Sequence, residues 1–246
     1  MKRAKNIIDK EITLKDGVIV IGSDIHIPFH DAKAVDAFIS YVADTVPDIV
    51  ILNGDVLDMF MLSRFTKGEG RNPLEEIEEC RRLLKKIRDM VPPETELYYV
   101  IGNHETRLER YVLTKAPELA SLVEDVFTII KAEDYGFKGC ASLTINDKIV
   151  IKHGTLLGNK SGLSAIKEME ASYMSGASGH THRLCKYIAR KAGRKFFWME
   201  TGCLCGLNPE YMVNPNWQQG FARIDIKGGK VHSAKIIEIE NGEVLE

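Results

Sequence analysis

The chain has little net charge, no long apolar run and no cysteine pairing pattern, and each absence removes a class of function. A formal net charge of −2 over 246 residues gives no global electrostatic reason to bind long nucleic acid. No apolar stretch reaches the ~20 residues that a membrane-spanning helix needs. The opening MKRAKNIIDKEITLKDG lacks the continuous apolar segment of a secretory signal. Cys80, Cys140, Cys185, Cys203 and Cys205 form no Cys-x-x-Cys pair and are odd in number, so they read as reduced thiols, not a disulfide framework. The expectation is a soluble, cytoplasmic protein without membrane partners. Repeats, low-complexity tracts and Pro/Ser-rich linkers are also missing, so residues 1–246 are expected to form one domain. One local charge excess stands out: Arg183, Lys186, Arg190, Lys191, Arg194 and Lys195 follow one another with no acid between. It reads first as a solvated hairpin flank and second as a strip facing a phosphate-bearing substrate.

Histidine is scarce but concentrated. Five of the seven histidines fall in short motifs that also carry carboxylates and amides. The metal-ligand types are Asp24 and His26 in SDIH, Asp55 in NGDVLD, Asn103 in GNHE, His153 in KHG, and His180 and His182 in GHTH. Four of the five motifs follow an apolar, β-branched run: VIVIG, DIVILN, ELYYVIG and KIVIK. That places the polar residues at strand ends, where loops gather functional groups along one sheet edge.

The chain between the motifs alternates. After strand 18–21, residues 32–46 have helical periodicity with Ala34, Ala37, Phe38, Tyr41 and Val42 on one face, Asp31 as N-cap and Pro47 past the end. Strand 49–52 and a helix from Pro73 to Met90 follow, the latter with Leu74, Ile77, Leu84, Ile87 and Met90 as its inner face. Strand 97–101 precedes GNHE, and a helix begins within HETRLERYVL. This is a βαβαβ half with a parallel sheet. The second half turns to hairpins, ASLTI-ND-KIVIK and one around Gly228-Gly229, with a helix over 161–174 between them. Residues 56–72, with Met59, Phe60, Met61, Leu62 and Phe65 before a Gly-rich run, read as a core-packing loop, or else as a lid or dimer contact beside the site. The fold class is therefore mixed α/β.

Carboxylate oxygens with imidazole nitrogens suit manganese, iron, cobalt or zinc, and the absence of cysteine from the set argues against a structural zinc. Asp-x-His in an extended strand end would put both side chains on one face, and His180-x-His182 would repeat this. Asp55 can offer two oxygens to two ions about 3.5–4 Å apart, an arrangement that clamps both oxygens of an in-line displacement at phosphorus.

In this order DIH, GDVLD, GNHE, KHG and GHTH resemble the calcineurin-like metallophosphoesterases, over residues 18–183. The stretch WMETGCLCGLNPEYMVNPNWQQGFARI is similar to compact prokaryotic and bacteriophage members. The resemblance implies two packed mixed β-sheets flanked by helices, a four-layer sandwich. It implies two divalent ions, manganese foremost, with iron, zinc, cobalt or nickel as alternatives. Asp24, His26, Asp55 and His182 would bind one ion; Asp55, Asn103, His153 and His180 would bind the other. His104 would face the phosphate and protonate the leaving oxygen or stabilise its charge, and a metal-bridging hydroxide would attack. Two departures matter. Glu105 stands where many members have Asp and would orient His104. Met59-Phe60 follows GDVLD where Ser/Thr protein phosphatases have Arg-Gly, which argues against protein dephosphorylation.

Other candidates carry two readings each. Arg107 is a phosphate clamp or a salt bridge to Glu105 or Glu109, and Asn103 can also reach substrate. Asp58 caps a turn or holds a ligand histidine. His30 and His232 read as structural, Asn53 and Lys160 as loop residues within reach of substrate, and Cys203 and Cys205 as buried strand residues. Tyr211 and Trp217 are core or base-stacking platforms. The expected activity is hydrolysis of phosphodiesters in small nucleotidic or nucleic-acid-end substrates; the alternative is phosphomonoester hydrolysis. A non-catalytic module on the same fold would lose ligands, and all seven are present. Homo-oligomerisation is left open.

Overall fold

Short apolar runs become parallel strands when helices cover their outer face and a second layer covers the other. In a computed structural model, which describes residues 7–63, 72–209 and 212–245, β1 (Lys10–Ile12) and β2 (Gly17–Gly22) lead to α1 (Ala32–Thr45) and β3 (Ile49–Asn53). A short 3-10 turn at Phe60–Leu62 precedes α2 (Pro73–Asp89), β4 (Glu96–Val100), α3 (Arg107–Lys115), α4 (Val126–Ile129) and β5 (Phe137–Cys140). The second half comprises β6 (Ser142–Ile145), β7 (Ile149–Lys152), α5 (Leu163–Ser172), β8 (Ser175–Ser178), β9 (Leu184–Lys191) and β10 (Arg194–Thr201). It ends with β11 (Gly220–Lys227), β12 (Lys230–Glu240) and β13 (Glu243–Leu245).

These strands form two mixed sheets. One has the order β13-β12-β11-β2-β3-β4-β5, with β2 to β5 parallel, and the other β1-β6-β7-β8-β10-β9. Alternate residues of β2 and β3 go to opposite cores. Ile19, Ile21, Ile49 and Ile51 face Leu143, Ile145, Ile149, Ile151 and Met199 between the sheets. Val20, Val50 and Leu52 face Phe38, Ile39, Val42, Leu84 and Ile87 of α1 and α2. On the far side Val150 and Trp198 pack on Ala165 and Met169 of α5. The layers are helix, sheet, sheet, helix, as the mixed α/β expectation required. Each fully buried Ile or Leu here contributes about 1.5–3 kcal/mol by area.

Helix ends obey capping chemistry. Asp31 accepts the backbone N–H groups of Lys33 and Ala34, and Asn72 accepts that of Leu74 ahead of the first-turn Pro73. The expected faces need correcting at their margins. Leu74 and Met90, 68% and 46% exposed, lie at the ends of α2 beyond the sheet, and Cys80 takes the buried place between Ile77 and Leu84. On α1, Val35 and Ile39 are buried while Ala37 and Tyr41 sit at the edge of the core. Strand β8, SGAS, carries no apolar signal; its small residues fit where Trp198 packs against Gly176. Apart from Arg183, which precedes β9 and donates to the Gly158 carbonyl, the basic run lies on β9 and β10, with β9 an edge of its sheet, where charged side chains discourage pairing with another chain. Phe65 and the Gly-rich part of the 56–72 segment lie outside the described residues, and so does the lid or dimer reading that rests on them.

Candidate metal centre

Every one of the five motifs begins where a strand stops: β2, β3, β4, β7 and β8 deliver them in turn. The residues then leave the strand conformation. Asp24, His26, Asp55, His180 and His182 all have left-handed backbones, with φ of 54°, 54°, 51°, 68° and 56°. This corrects the expectation that strand alternation aligns Asp24 with His26 and His180 with His182; left-handed turns do so. Each non-Gly residue there costs about 1–2 kcal/mol, and neighbouring loops offset it. Asp24 and His26 donate their N–H groups to the carbonyls of Gly54 and Asp55 at 3.1 and 2.9 Å, and Gln218 donates to the His182 carbonyl at 2.8 Å. Gly54, at φ 82°, is required by close approach as well: a Cβ there would stand 2.6 Å from His153 Nδ1.

The side chains converge in two adjoining groups. In the first, His182 Nε2 lies 3.1 Å from Asp24 Oδ1 and 3.0 Å from His26 Nε2. In the second, His153 Nε2 lies 3.1 Å from Asp55 Oδ2 and 3.2 Å from Asn103 Oδ1, with the His180 ring edge-on to His153 at 5.2 Å. Asp55 Oδ2 is also 3.9 Å from His26 Nε2, so this carboxylate borders both. The other ring nitrogens point outward: His26 Nδ1 to Asp58 Oδ2 at 3.1 Å and His153 Nδ1 to the Asn53 carbonyl at 2.8 Å. Imidazoles held from behind with their free nitrogens aimed at carboxylates form a donor set that fits divalent ions.

Proton distribution reflects the same design. Burial lowers His26, but hydrogen bonds to Asp24 and Asp58 outweigh it and raise the imidazole to about 10. Burial likewise lowers His153, and the charges of Asp55 and Asp24 raise it to about 10. Asp24, Asp55 and Asp58 are held below the usual carboxylate range: burial opposes their ionisation, but the surrounding imidazoles prevail. His180 and His182 are lowered, chiefly by burial. Protons on two imidazoles occupy the electrostatic place that divalent cations would take.

Beside this cluster stands His104. Its N–H donates to Asp55 Oδ1 at 2.9 Å, its Nδ1 donates to the Asp58 carbonyl at 3.0 Å, and its Nε2 lies 3.6 Å from Asp55 Oδ2. Arg107 pairs with Asp58 Oδ1 at 2.9 Å and donates from Nη2 to His104 Nε2 at 2.9 Å. The expected pairing of Arg107 with Glu105 or Glu109 is thus corrected: the carboxylate that Arg107 meets is Asp58. The part foreseen for Glu105 is corrected too. Its carboxylate accepts the N–H groups of Gly102, Asp55 and Val56 and the Tyr99 hydroxyl, so it fastens the second motif to the third, while Asp58 and Arg107 hold the His104 ring.

The remaining candidates separate clearly. His30 makes a backbone bridge with Cys205 and approaches Glu79 at 3.7 Å, and His232 is exposed on β12. Asn53 donates to the Lys152 carbonyl and ties the two sheets together; Lys160 is exposed in the loop after β7. Trp217 packs edge-on to His182 with centroids 4.1 Å apart, and Tyr211 lies outside the described residues. Cys203 and Cys205 are buried as expected, but in isolated bridges to Gln219 and His30, not in a strand. The contact between Cys205 Sγ and His182 Nδ1, 3.7 Å, had no signal in the sequence.

A two-sheet sandwich whose strand ends gather histidines, carboxylates and an amide into two adjoining groups defines a metal-dependent hydrolase class. The chain belongs to the calcineurin-like phosphoesterase family, whose model matches residues 17–184; this family binds divalent metals and hydrolyses phosphoric esters. It is 32% identical to the Gene 54 protein of Mycobacterium phage L5 over 233 residues, 87% of this chain and 90% of that one. It is 22% identical over 258 residues to a nucleotide-binding protein of Fusobacterium nucleatum, covering 98% and 81% of the two chains. Among solved structures, Vacuolar Protein Sorting 29 from Cryptosporidium parvum shares the fold, with a TM-score of 0.51 at 19% identity over 94% of this chain and 96% of that one. No helix among the described residues is long and apolar enough to cross a membrane.

Proposed function

We propose that residues 1–246 act as one dinuclear phosphoesterase domain that cleaves phosphodiester bonds in small nucleotides or at nucleic-acid ends. The observation that carries this reading is Asp55, whose Oδ2 lies 3.1 Å from His153 Nε2 and 3.9 Å from His26 Nε2. Asp24, His26, Asp55 and His182 would hold one ion and Asp55, Asn103, His153 and His180 the other, manganese being the first choice for this oxygen and nitrogen set. When bound, the ions supply an activated water and neutralise charge on the phosphoryl oxygens. The protein's own part is positional. Asp58 and Asn53 hold the outward nitrogens of His26 and His153. His104 keeps Nδ1–H on the Asp58 carbonyl, which turns Nε2 to the leaving oxygen; Nε2 would take a proton from solvent once Arg107 releases it and pass that proton on. Arg107 now donates to that Nε2; a phosphoryl oxygen arriving beside it can accept the same donor and free Nε2.

Diesters are favoured over monoesters by charge. A monoester dianion gains from additional fixed positive charge, and Arg107 is already balanced by Asp58 at 2.9 Å. The indole of Trp217 beside His182 offers an aromatic surface for a base, and the nucleotide-binding relative fits the same substrate class. Hydrolysis of bis-aryl phosphates and cyclic nucleotides with Mn²⁺, set against the matching monoesters, tests this. Higher kcat/KM on the diesters is expected. A consistent preference for monoesters across several metals would replace the diester reading with a phosphomonoesterase.

A further inference from the structure

A histidine that binds metal through one ring nitrogen needs a partner on the other, because that contact fixes the tautomer and the aim of the ring. His26 and His153 rest on oxygen, the Asp58 carboxylate at 3.1 Å and the Asn53 carbonyl at 2.8 Å. His182 rests on sulfur. Its Nε2 points into the ligand group, toward Asp24 Oδ1 at 3.1 Å and His26 Nε2 at 3.0 Å, so Nδ1 is the nitrogen left to carry the proton. That Nδ1 meets Cys205 Sγ at 3.7 Å, with both side chains buried. The other neighbours of His182 hold different parts of it: Trp217 covers the ring and Gln218 N–H takes the backbone carbonyl.

Cys205 is itself fixed. Its backbone bridges to His30 and its carbonyl accepts Gln219 Nε2 at 2.9 Å. Its sulfur lies within 4.8 Å of that of Cys203, whose thiol donates to the Gln218 carbonyl at 3.6 Å. The Cys203 proton is thus taken by Gln218, and a thiol sulfur keeps lone pairs with which Cys205 can accept Nδ1–H.

We infer that Cys205 is a positioning residue: its sulfur accepts the His182 Nδ1 proton and holds Nε2 toward the ion position shared with Asp24, His26 and Asp55. The inference rests on the two-ion reading above. A buried thiol used only as filling would tolerate an isosteric aliphatic group, whereas an acceptor would not.

The test uses the full-length protein, Mn²⁺ and Co²⁺ alone as probes, and three variants. Cys205→Val keeps the volume and removes the acceptor, Cys205→Ser keeps an acceptor, and Cys140→Val alters a buried cysteine of the inter-sheet core. Calorimetric titration and the Co²⁺ absorption spectrum are read beside thermal unfolding in EDTA. Cys205→Val is expected to weaken one of the two ion positions about 10–100-fold, to leave the other within about twofold and to change the Co²⁺ spectrum. Cys205→Ser should recover most of the affinity, and Cys140→Val should shift only the melting temperature. A wild type that binds fewer than two ions overturns the two-ion reading. A wild type that binds two, with Cys205→Val matching it or Cys205→Ser losing as much as Cys205→Val, overturns the role of Cys205 alone.

Discussion

Asp55 makes contacts that no other residue of the site makes together. One oxygen takes the His104 N–H, and the other lies 3.1 Å from His153 Nε2 and 3.9 Å from His26 Nε2. Asp55→Asn keeps the shape but removes the charge shared by both groups. It is expected to lower metal content below two ions per chain and to abolish turnover together, as read by elemental analysis of Mn²⁺-loaded, desalted protein. Retention of two ions by the variant would detach Asp55 from the bridging role. His104 should behave in the opposite way. His104→Ala leaves every expected ligand in place, so both ions should remain while hydrolysis slows about 10²–10⁴-fold, with less loss on good leaving groups. Wild-type kcat on a poor leaving group would remove His104 from the chemistry. At this scale the sequence was informative where residue type limits chemistry: Asp24, His26, Asp55, His153, His180 and His182 do converge. It left Asp58 between a turn cap and a partner of a ligand histidine, and gave Cys205 only as a buried strand residue, because a lone Asp or Cys has many uses and only the fold shows which imidazole it faces.

Elements were legible where one face or both faces had to be apolar. Runs such as IVIL and LYYV announce β3 and β4, and Asp31 and Pro73 mark the starts of α1 and α2. β8 was not legible, since SGAS is chosen for how closely Gly176 lets Trp198 approach. Nor were the left-handed loop residues, which break local preference and depend on contacts far along the chain. Glu105 is the clearest such contact. One carboxylate oxygen accepts Asp55 and Gly102 N–H, and the other accepts Val56 N–H and the Tyr99 hydroxyl, all within the buried floor of the site. Glu105→Gln would turn an amide N–H₂ toward N–H or O–H donors, whichever way it is placed. A buried donor set left without its acceptor costs about 2–4 kcal/mol, which in a domain of this size lowers Tm by roughly 5–15 °C. Thermal unfolding in EDTA reads this without any contribution from metal. A Tm within about 1 °C of wild type would show that Glu105 does not fasten these loops.

Across the whole molecule, the site makes stability depend on pH in a way that metal should reverse. His26 and His153 titrate at about 10 in the fold against an ordinary 6.5. The folded chain therefore holds protons that the unfolded chain has released, and their contribution is full below 6.5 and fades as pH rises toward 10. His180 and His182 are lowered, so below 6.5 the unfolded chain takes up more protons there and stability falls with pH. Asp24, Asp55 and Asp58, all lowered from 3.8, add a further loss only under more acid conditions. Without metal, these groups together favour an optimum near pH 6.5. Divalent ions must displace the protons on His26 and His153, so their affinity climbs with pH over the interval in which the metal-free protein weakens. Melting curves between about pH 5 and 9, in EDTA and in Mn²⁺, should show the two diverging, with the metal-induced rise in Tm growing steadily above pH 6.5. A metal-induced rise that stays constant across that range, or a metal-free Tm that keeps increasing toward pH 9, would mean that protons and ions do not compete for the same imidazoles.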